Sequence, residues 1–381
     1  MNDNSKRYYL TLLIITIIAI FWAGKIEINV FENGNMDLYK YRDMALASPA
    51  LNFNIPHPYV YRIFAPWLAG IIPLSINLSF YILNFIFLLA LSFAFYKFIV
   101  FHKTDEKIAL LVTLAFVFNR YFFQFLAYDY FQLSDTLSYF LLLVSFLLLA
   151  NKQWHLFGLV LIIGVLTREI ALIIIPVGYV YLFEKKFNKN DYLYLSDYSV
   201  IAILVFILVR LLIPQGNGGT YFTQFNYGIS HFFEIPALSK RFLIPLTPFL
   251  VIPFIFFKDL VDFFKDKIYL LVYFLLVIIS TLFGNDYERL MAPAAPVFFL
   301  FLAVIIKKYL CEKDSGSLRK ISMGLIILSI IVSSFYHLWG IFKLPNREVT
   351  MQVTLLTDFI IFALFMVLKY KDRIKPINTG R

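Results

Sequence analysis

Apolar runs of fifteen or more residues recur from one end of the chain to the other, and no other feature restricts the fold as much. A membrane span takes about 20 such residues, and fewer when the helix ends in a cavity lined by protein. Only 15% of the residues are charged, against the roughly 25% of a soluble domain. The expected class is therefore an all-α polytopic membrane protein in which the whole chain, 1–381, forms one transmembrane domain.

Twelve transmembrane or partly spanning helices are expected, at 8–24, 78–101, 107–125, 136–150, 154–166, 169–183, 198–214, 242–257, 268–283, 290–306, 321–340 and 352–368. The first follows Lys6 and Arg7 but is too long for a signal peptide and lacks a cleavage site, so it reads as a retained helix. With the N-terminus inside, 22 of the 34 lysines and arginines fall on inner loops, which places both termini in the cytoplasm. The formal charge of +10 is thus a matter of topology, and nucleic acid is excluded as a partner. Cys311 is the only cysteine, which rules out an intrachain disulfide or a cysteine metal cluster.

Between the first two spans, residues 25–77 form an outer loop whose stretch 35–68 turns polar, charged and aromatic. It carries Asp37, Asp43, His57, Arg42, Arg62 and the tyrosines Tyr39, Tyr41, Tyr59 and Tyr61, a mixture suited to gripping sugars and phosphates, and it reads as the active-site loop. Asp37, Tyr41 and Ala45 recur at four-residue steps and share one face of a short helix. Ile63 to Ile76 reads as an interfacial or re-entrant helix. The segments 154–166 and 169–183 are too short to cross about 30 Å of hydrocarbon, so Thr167-Arg168-Glu169 is expected at membrane depth, beside a polar cavity. A second outer loop, 215–241, with Gly216, Gly218, Gly219, Tyr221, Tyr227 and His231, is expected to be mobile and to cover that cavity.

Inner loops are mostly lysine, whereas the outer helix ends carry Arg120, Asp129, Asp135, Arg168, Glu169, Arg210, Lys240, Arg241, Asp286, Glu288 and Arg289. Topology alone does not ask for outer arginines beside acids, and arginine is the better bidentate ligand for phosphate. Plainer readings exist for several of these residues. Arg120 and Arg210 fit snorkelling to headgroups, Arg168 with Glu169 fits a structural ion pair, and Asp286, Glu288 and Arg289 fit a capped polar turn. His57 and His231 have no second histidine at ligand spacing.

Taken together, Asp37-x3-Tyr41-x3-Ala45, the Tyr-x-Arg stretch from Tyr59 to Leu68, Asp135 opening a helix, Arg168-Glu169, and the turn from Asp286 to Pro293 resemble the C-type (GT-C) glycosyltransferase superfamily. Its members are polytopic enzymes that use polyprenyl-phosphate-linked sugars, and the likeness is to bacterial members of undefined substrate. The resemblance implies a GT-C-like fold in a bacterial plasma membrane and an extracytoplasmic site. Asp37 would be the catalytic base, and Arg168, Arg210, Arg289 and Arg62 would hold the lipid phosphate. The implied partners are a polyprenyl-phosphate sugar donor, a glycan, lipid or protein acceptor, and membrane lipids. The chain departs from the pattern in having no Asp-x-Asp and in placing Asp43 six residues after Asp37. No soluble C-terminal domain is expected beyond the last helix. The cofactor stays open between a divalent metal and none. A polyprenyl-diphosphate glycan polymerase or ligase and a lipid-linked sugar transporter or flippase remain alternatives, the latter opposed by the scarcity of inner-half charges and of paired broken helices.

Overall fold

The computed structural model describes residues 3–26, 37–213, 221–284, 286–311, 317–334 and 347–374, and every regular element among them is helical. In chain order the first half has α1 (Asp3–Ala23), α2 (Asp37–Leu46), α3 (Phe64–Ile71), α4 (Ile76–Phe101), α5 (Glu106–Val117), α6 (Phe125–Tyr128), α7 (Leu133–Ala150), α8 (Trp154–Thr167), α9 (Ile174–Glu184) and α10 (Lys189–Leu212). The second half has α11 (Tyr221–Ser230), α12 (Ile235–Leu238), α13 (Ile252–Ile255), α14 (Phe257–Lys265), α15 (Ile268–Ser280), α16 (Tyr287–Leu290), α17 (Ala295–Ile306), α18 (Ser317–Ser334) and α19 (Arg347–Ile374).

Five helical segments are long and apolar enough to cross a membrane, and two bent pairs bring the number to seven. α17 is buried on nearly every side, as expected of a helix that is apolar all round and sits at the centre of a bundle. α10 is its opposite. Its apolar side chains, among them Val200, Leu204, Leu208 and Leu211, point outward. α4, α7, α8 and α10 pack in sequence, α1 and α17 close on α5, and α9 packs on α15.

Where the helices are interrupted, polar side chains take over the freed backbone groups. α5 ends at Val117, and the helical stretch from Arg120 to Tyr128 leaves it at 66°. At that break the Asn119 side chain accepts from the Tyr121 and Phe122 amides and donates to the carbonyls of Pro245 and Thr247. Gln124 donates to the carbonyls of Ala19 and Val117, and Asn84 to that of Leu126.

Four expectations change in detail. Residues 107–125 are two helical pieces with a bend. Residues 242–257 are not a continuous helix but a series of short turns, because Pro245, Pro248 and Pro253 remove helical amide donors. The helix expected at 198–214 begins earlier, at Lys189, where Asn188 and Asp191 form a reciprocal capping box. Ile63 to Ile76 holds only the eight-residue α3, about 12 Å long and too short to cross. The expectations on 27–36, on Gly216, Gly218 and Gly219, and on 335–340 lie outside the described residues.

The first loop folds as expected into short helices. α2 lies on α3, and α3 on α4 and α7, through a second apolar cluster that includes Leu38, Tyr41, Met44, Ala45, Ala65, Ala69 and Phe80. Tyr41 and Ala45 are buried on the face predicted from their spacing, which fixes Asp37 at the N-terminal end of α2. The approach of the two helices depends on Gly70, where a Cβ would lie 2.1 Å from the Ala45 carbonyl oxygen. Because that obstacle is backbone, Gly70→Val should lower stability by about 1–3 kcal/mol or more, read as a fall in melting temperature of the detergent-purified protein. An unchanged melting temperature would contradict this packing.

Candidate functional site

An open cleft of about 450 Å³ is lined by Asp37, Pro58, Tyr59, Arg62, Phe125, Asp129, Gln132, Arg168, Phe283, Gly284, Asp286, Arg289 and Leu290. Every one comes from a helix end, a short turn or a break between helices. α2 presents Asp37 from its first turn. The 3-10 turn Tyr59–Tyr61 presents Tyr59, with Arg62 directly after it. Asp129 and Gln132 lie between α6 and α7, and Arg168 ends α8 in an extended conformation with φ −164° and ψ 140°. Asp286 and Arg289 come from the turn that leads through α16 to α17.

The charges interlock. Asp37 accepts a hydrogen bond from the Tyr59 hydroxyl on Oδ1 and one from Arg289 on Oδ2 at 3.2 Å. Arg289 also lies 3.4 Å from Asp135 and 3.2 Å from Asp286, so a single guanidinium serves three carboxylates. Arg168 pairs with the buried Asp135. Arg62 meets both oxygens of Glu169, at 3.2 and 3.4 Å, and donates to the Tyr41 hydroxyl at 3.0 Å. Arg168 and Glu169 therefore do not form the structural ion pair that the plainer reading offered. The extended backbone at Arg168 sends successive side chains in different directions, each toward a partner brought by another element.

Burial alone would raise the Asp37 carboxyl, but the Arg289 charge, the Tyr59 hydrogen bond and Lys40 outweigh it and hold Asp37 below the usual carboxylate range. Burial and the adjacent Asp37 charge push the Tyr59 hydroxyl well above its ordinary value, so it remains a donor. Asp129 goes the other way. Burial pushes it up to about 6, although Gln132 donates to it and Arg289 is near. Gln132 Nε2 stands between the two acids, 3.2 Å from Asp129 and 3.5 Å from Asp37.

Several expected residues lie elsewhere. Asp43 is exposed, because six residues along a helix turn it about 240° away from Asp37. His57 lies against Tyr61 with the rings tilted and 4.7 Å apart, and Arg210 lies over Tyr61 at 4.6 Å and Phe206 at 3.6 Å, forming an aromatic patch that contributes no lining residue to the cleft. Burial and the Arg210 charge lower the His57 imidazole. Glu288 does not line the cleft either. The described part of 215–241 is helix interrupted by a turn at 231–234, and it lines no part of the cleft. α11 packs on the turn Thr281–Phe283, where a Cβ on Gly228 would meet the Leu282 carbonyl oxygen at 2.2 Å. Gln132 and Lys40 were missed as site residues. Both stand three residues after an acid of the site, Asp129 and Asp37, a spacing that was the available signal. Lys40 lies over the Tyr59 ring at 4.1 Å.

Four carboxylates (Asp37, Asp135, Glu169 and Asp286) pair with three guanidiniums (Arg62, Arg168 and Arg289), with Lys40 3.9 Å from Asp37 and Asp129 held by Gln132. Three of the four arginines that the resemblance assigns to a phosphate, Arg62, Arg168 and Arg289, are thus engaged by acids. Among the described residues no group of three or more His, Cys, Asp or Glu side chains could hold a metal ion. Compared with known protein families, curated proteins and solved structures, the chain matches none.

Removing one partner of a buried pair leaves a bare charge. Arg168→Met should therefore destabilise the protein by about 3–5 kcal/mol, and Asp135→Asn added to it should restore part of the loss, both read by thermal unfolding. The raised Asp129 value gives a pH test with a definite sign. The stability it lends through its neutral form is complete below the ordinary carboxylate range and is lost as the pH rises through about 6. Asp129→Asn should accordingly raise the melting temperature at pH 8 and leave it unchanged near pH 4.

Proposed function

We propose that the protein is a membrane glycosyltransferase that moves a sugar from a polyprenyl-phosphate donor to an acceptor hydroxyl with inversion, with Asp37 as the base. In this reading the twelve whole or partial spans form a GT-C-like body with both termini in the cytoplasm and the cleft on the extracytoplasmic side. The observation that carries it is Asp37 itself, a carboxylate held ionised at the wall of a cleft of about 450 Å³ by Tyr59 and Arg289.

The chemistry asks little more of the protein. The acceptor oxygen attacks the anomeric carbon, its proton passes to Asp37, and the bond from that carbon to the phosphate oxygen breaks with its electron pair on the phosphate. Oδ2 of Asp37 accepts from both Arg289 and Gln132, whereas Oδ1 has a second lone pair beyond the one engaged by Tyr59, so an acceptor hydroxyl can bind there without dismantling the pair. A phosphate leaves as an anion and needs no acid to protonate it, unlike the leaving group of a glycosidase. The exposed edge of Tyr59, with Phe125 and Phe283, offers apolar surface for a sugar ring.

Purified protein offered a panel of labelled polyprenyl-phosphate sugars should transfer label, and Asp37→Asn should reduce the rate by about 10²–10⁴-fold while melting as a folded protein. Full activity in Asp37→Asn would refute the assignment. A parallel arm with EDTA decides the metal question. If no donor is turned over but labelled lipid crosses the bilayer, the transporter reading replaces this one.

A further inference from the structure

Asp129 lines the cleft beside Asp37 but takes no part in the proton transfer. It is buried, its Oδ2 accepts from Gln132 Nε2 at 3.2 Å, and its Oδ1 is buried with no hydrogen-bond partner. A carboxyl held on one oxygen can carry a proton on the other, so Asp129 can become neutral without losing Gln132.

Gln132 also ties this acid to the base. An amide nitrogen has two hydrogens, and this one serves two carboxylates, Asp129 at 3.2 Å and Asp37 at 3.5 Å. The two acids thus stand on either side of a single nitrogen, close enough for the Asp37 charge to oppose ionisation of Asp129. Around them Arg289 favours the ionised form of Asp129, as does the Phe131 amide, while burial pushes Tyr130 up and keeps it neutral. The other charges of the cleft are paired, Asp286 with Arg289, Asp135 with Arg168 and Arg289, and Glu169 with Arg62, and Lys40 lies nearer Asp37.

Repulsion between two carboxylates is mutual, so whichever of them takes a proton is relieved of it. This bears on a difficulty of the site. Arg289 and Tyr59 hold Asp37 below the usual carboxylate range, which keeps it ionised but makes it a weak base. A second negative charge close by strengthens it.

We propose that Asp129, linked through Gln132, is a positioning residue that sets the strength of the base: with its charge present Asp37 takes the acceptor's proton more readily, and with that charge neutralised transfer slows. Asp129 itself neither gains nor loses a proton during turnover. The role rests on the glycosyl-transfer reading; the coupling of the two carboxyls does not.

The test has two arms, both on the full-length protein in detergent. The first needs no substrate and follows thermal unfolding of the wild type, Asp129→Asn, Asp37→Asn and the double variant. The two substitutions should be more strongly non-additive at pH 8, where both acids are charged, than near pH 4, where Asp129 is neutral. Equal additivity at both pH values overturns the coupling. The second arm measures kcat/KM against pH with a labelled polyprenyl-phosphate sugar. In the wild type it should rise by about three- to tenfold as the pH passes through about 6. Asp129→Asn should abolish the rise, and Gln132→Met, which removes a bond that favours the charged acid, should move it to higher pH. A purely structural Asp129 would leave the shape of the profile unchanged in both variants, and that result overturns the proposal. If the first arm shows coupling and no donor is turned over, Asp37 is not a base; the role of Asp129 then falls with the glycosyl-transfer reading, and the coupled pair alone stands.

Discussion

The arrangement of the cleft depends on one guanidinium. Arg289 reaches Asp37 on α2, Asp135 on α7 and Asp286 on its own turn, and its carbonyl accepts from the Tyr139 hydroxyl at 3.0 Å. Three regions far apart in sequence are held to a common point. A buried charge of this kind is tolerated only when its partners are in place, so the same pairing that compensates Arg289 also sets where Asp37 stands and keeps it ionised.

A second regularity is that the cleft is built from interruptions. Asp129 and Gln132 follow the bent pair of α5 and its continuation, Arg168 ends α8, and Phe283 to Arg289 join α15 to α17. In an apolar surrounding, irregular backbone persists only where protein or water satisfies its polar groups. Asn119, Gln124 and Asn84 do this at the first break by bonding to carbonyls of neighbouring segments. Breaks and polar side chains therefore occur together, and a cavity lined by acids and arginines follows from both.

Much of this was readable in advance. Hydropathy marks the long apolar helices, because the apolar demand of a span is a property of composition over a window. The steps from Asp37 to Tyr41 to Ala45 disclose a helix with one buried face, because spacing of four residues is a local matter. The placement of Arg168, Asp135 and Arg289 at helix ends is legible for the same reason. The partners were not. Arg168 finds Asp135 rather than the adjacent Glu169, Glu169 finds Arg62, and Arg210 goes to Tyr61 instead of the cleft, since each choice is made by where other helices arrive. Gln132 enters only when the end of α6 brings it beside Asp37. The three prolines between Leu243 and Phe254 were a local signal that the apolar run hid. By itself the amino-acid sequence determined that this chain is a set of apolar helices with a charged, aromatic first loop, since composition and periodicity act within a few turns. Which charge neutralises which, and hence which acid is left to act, was decided by the tertiary structure alone, because ion pairing depends on distance in space.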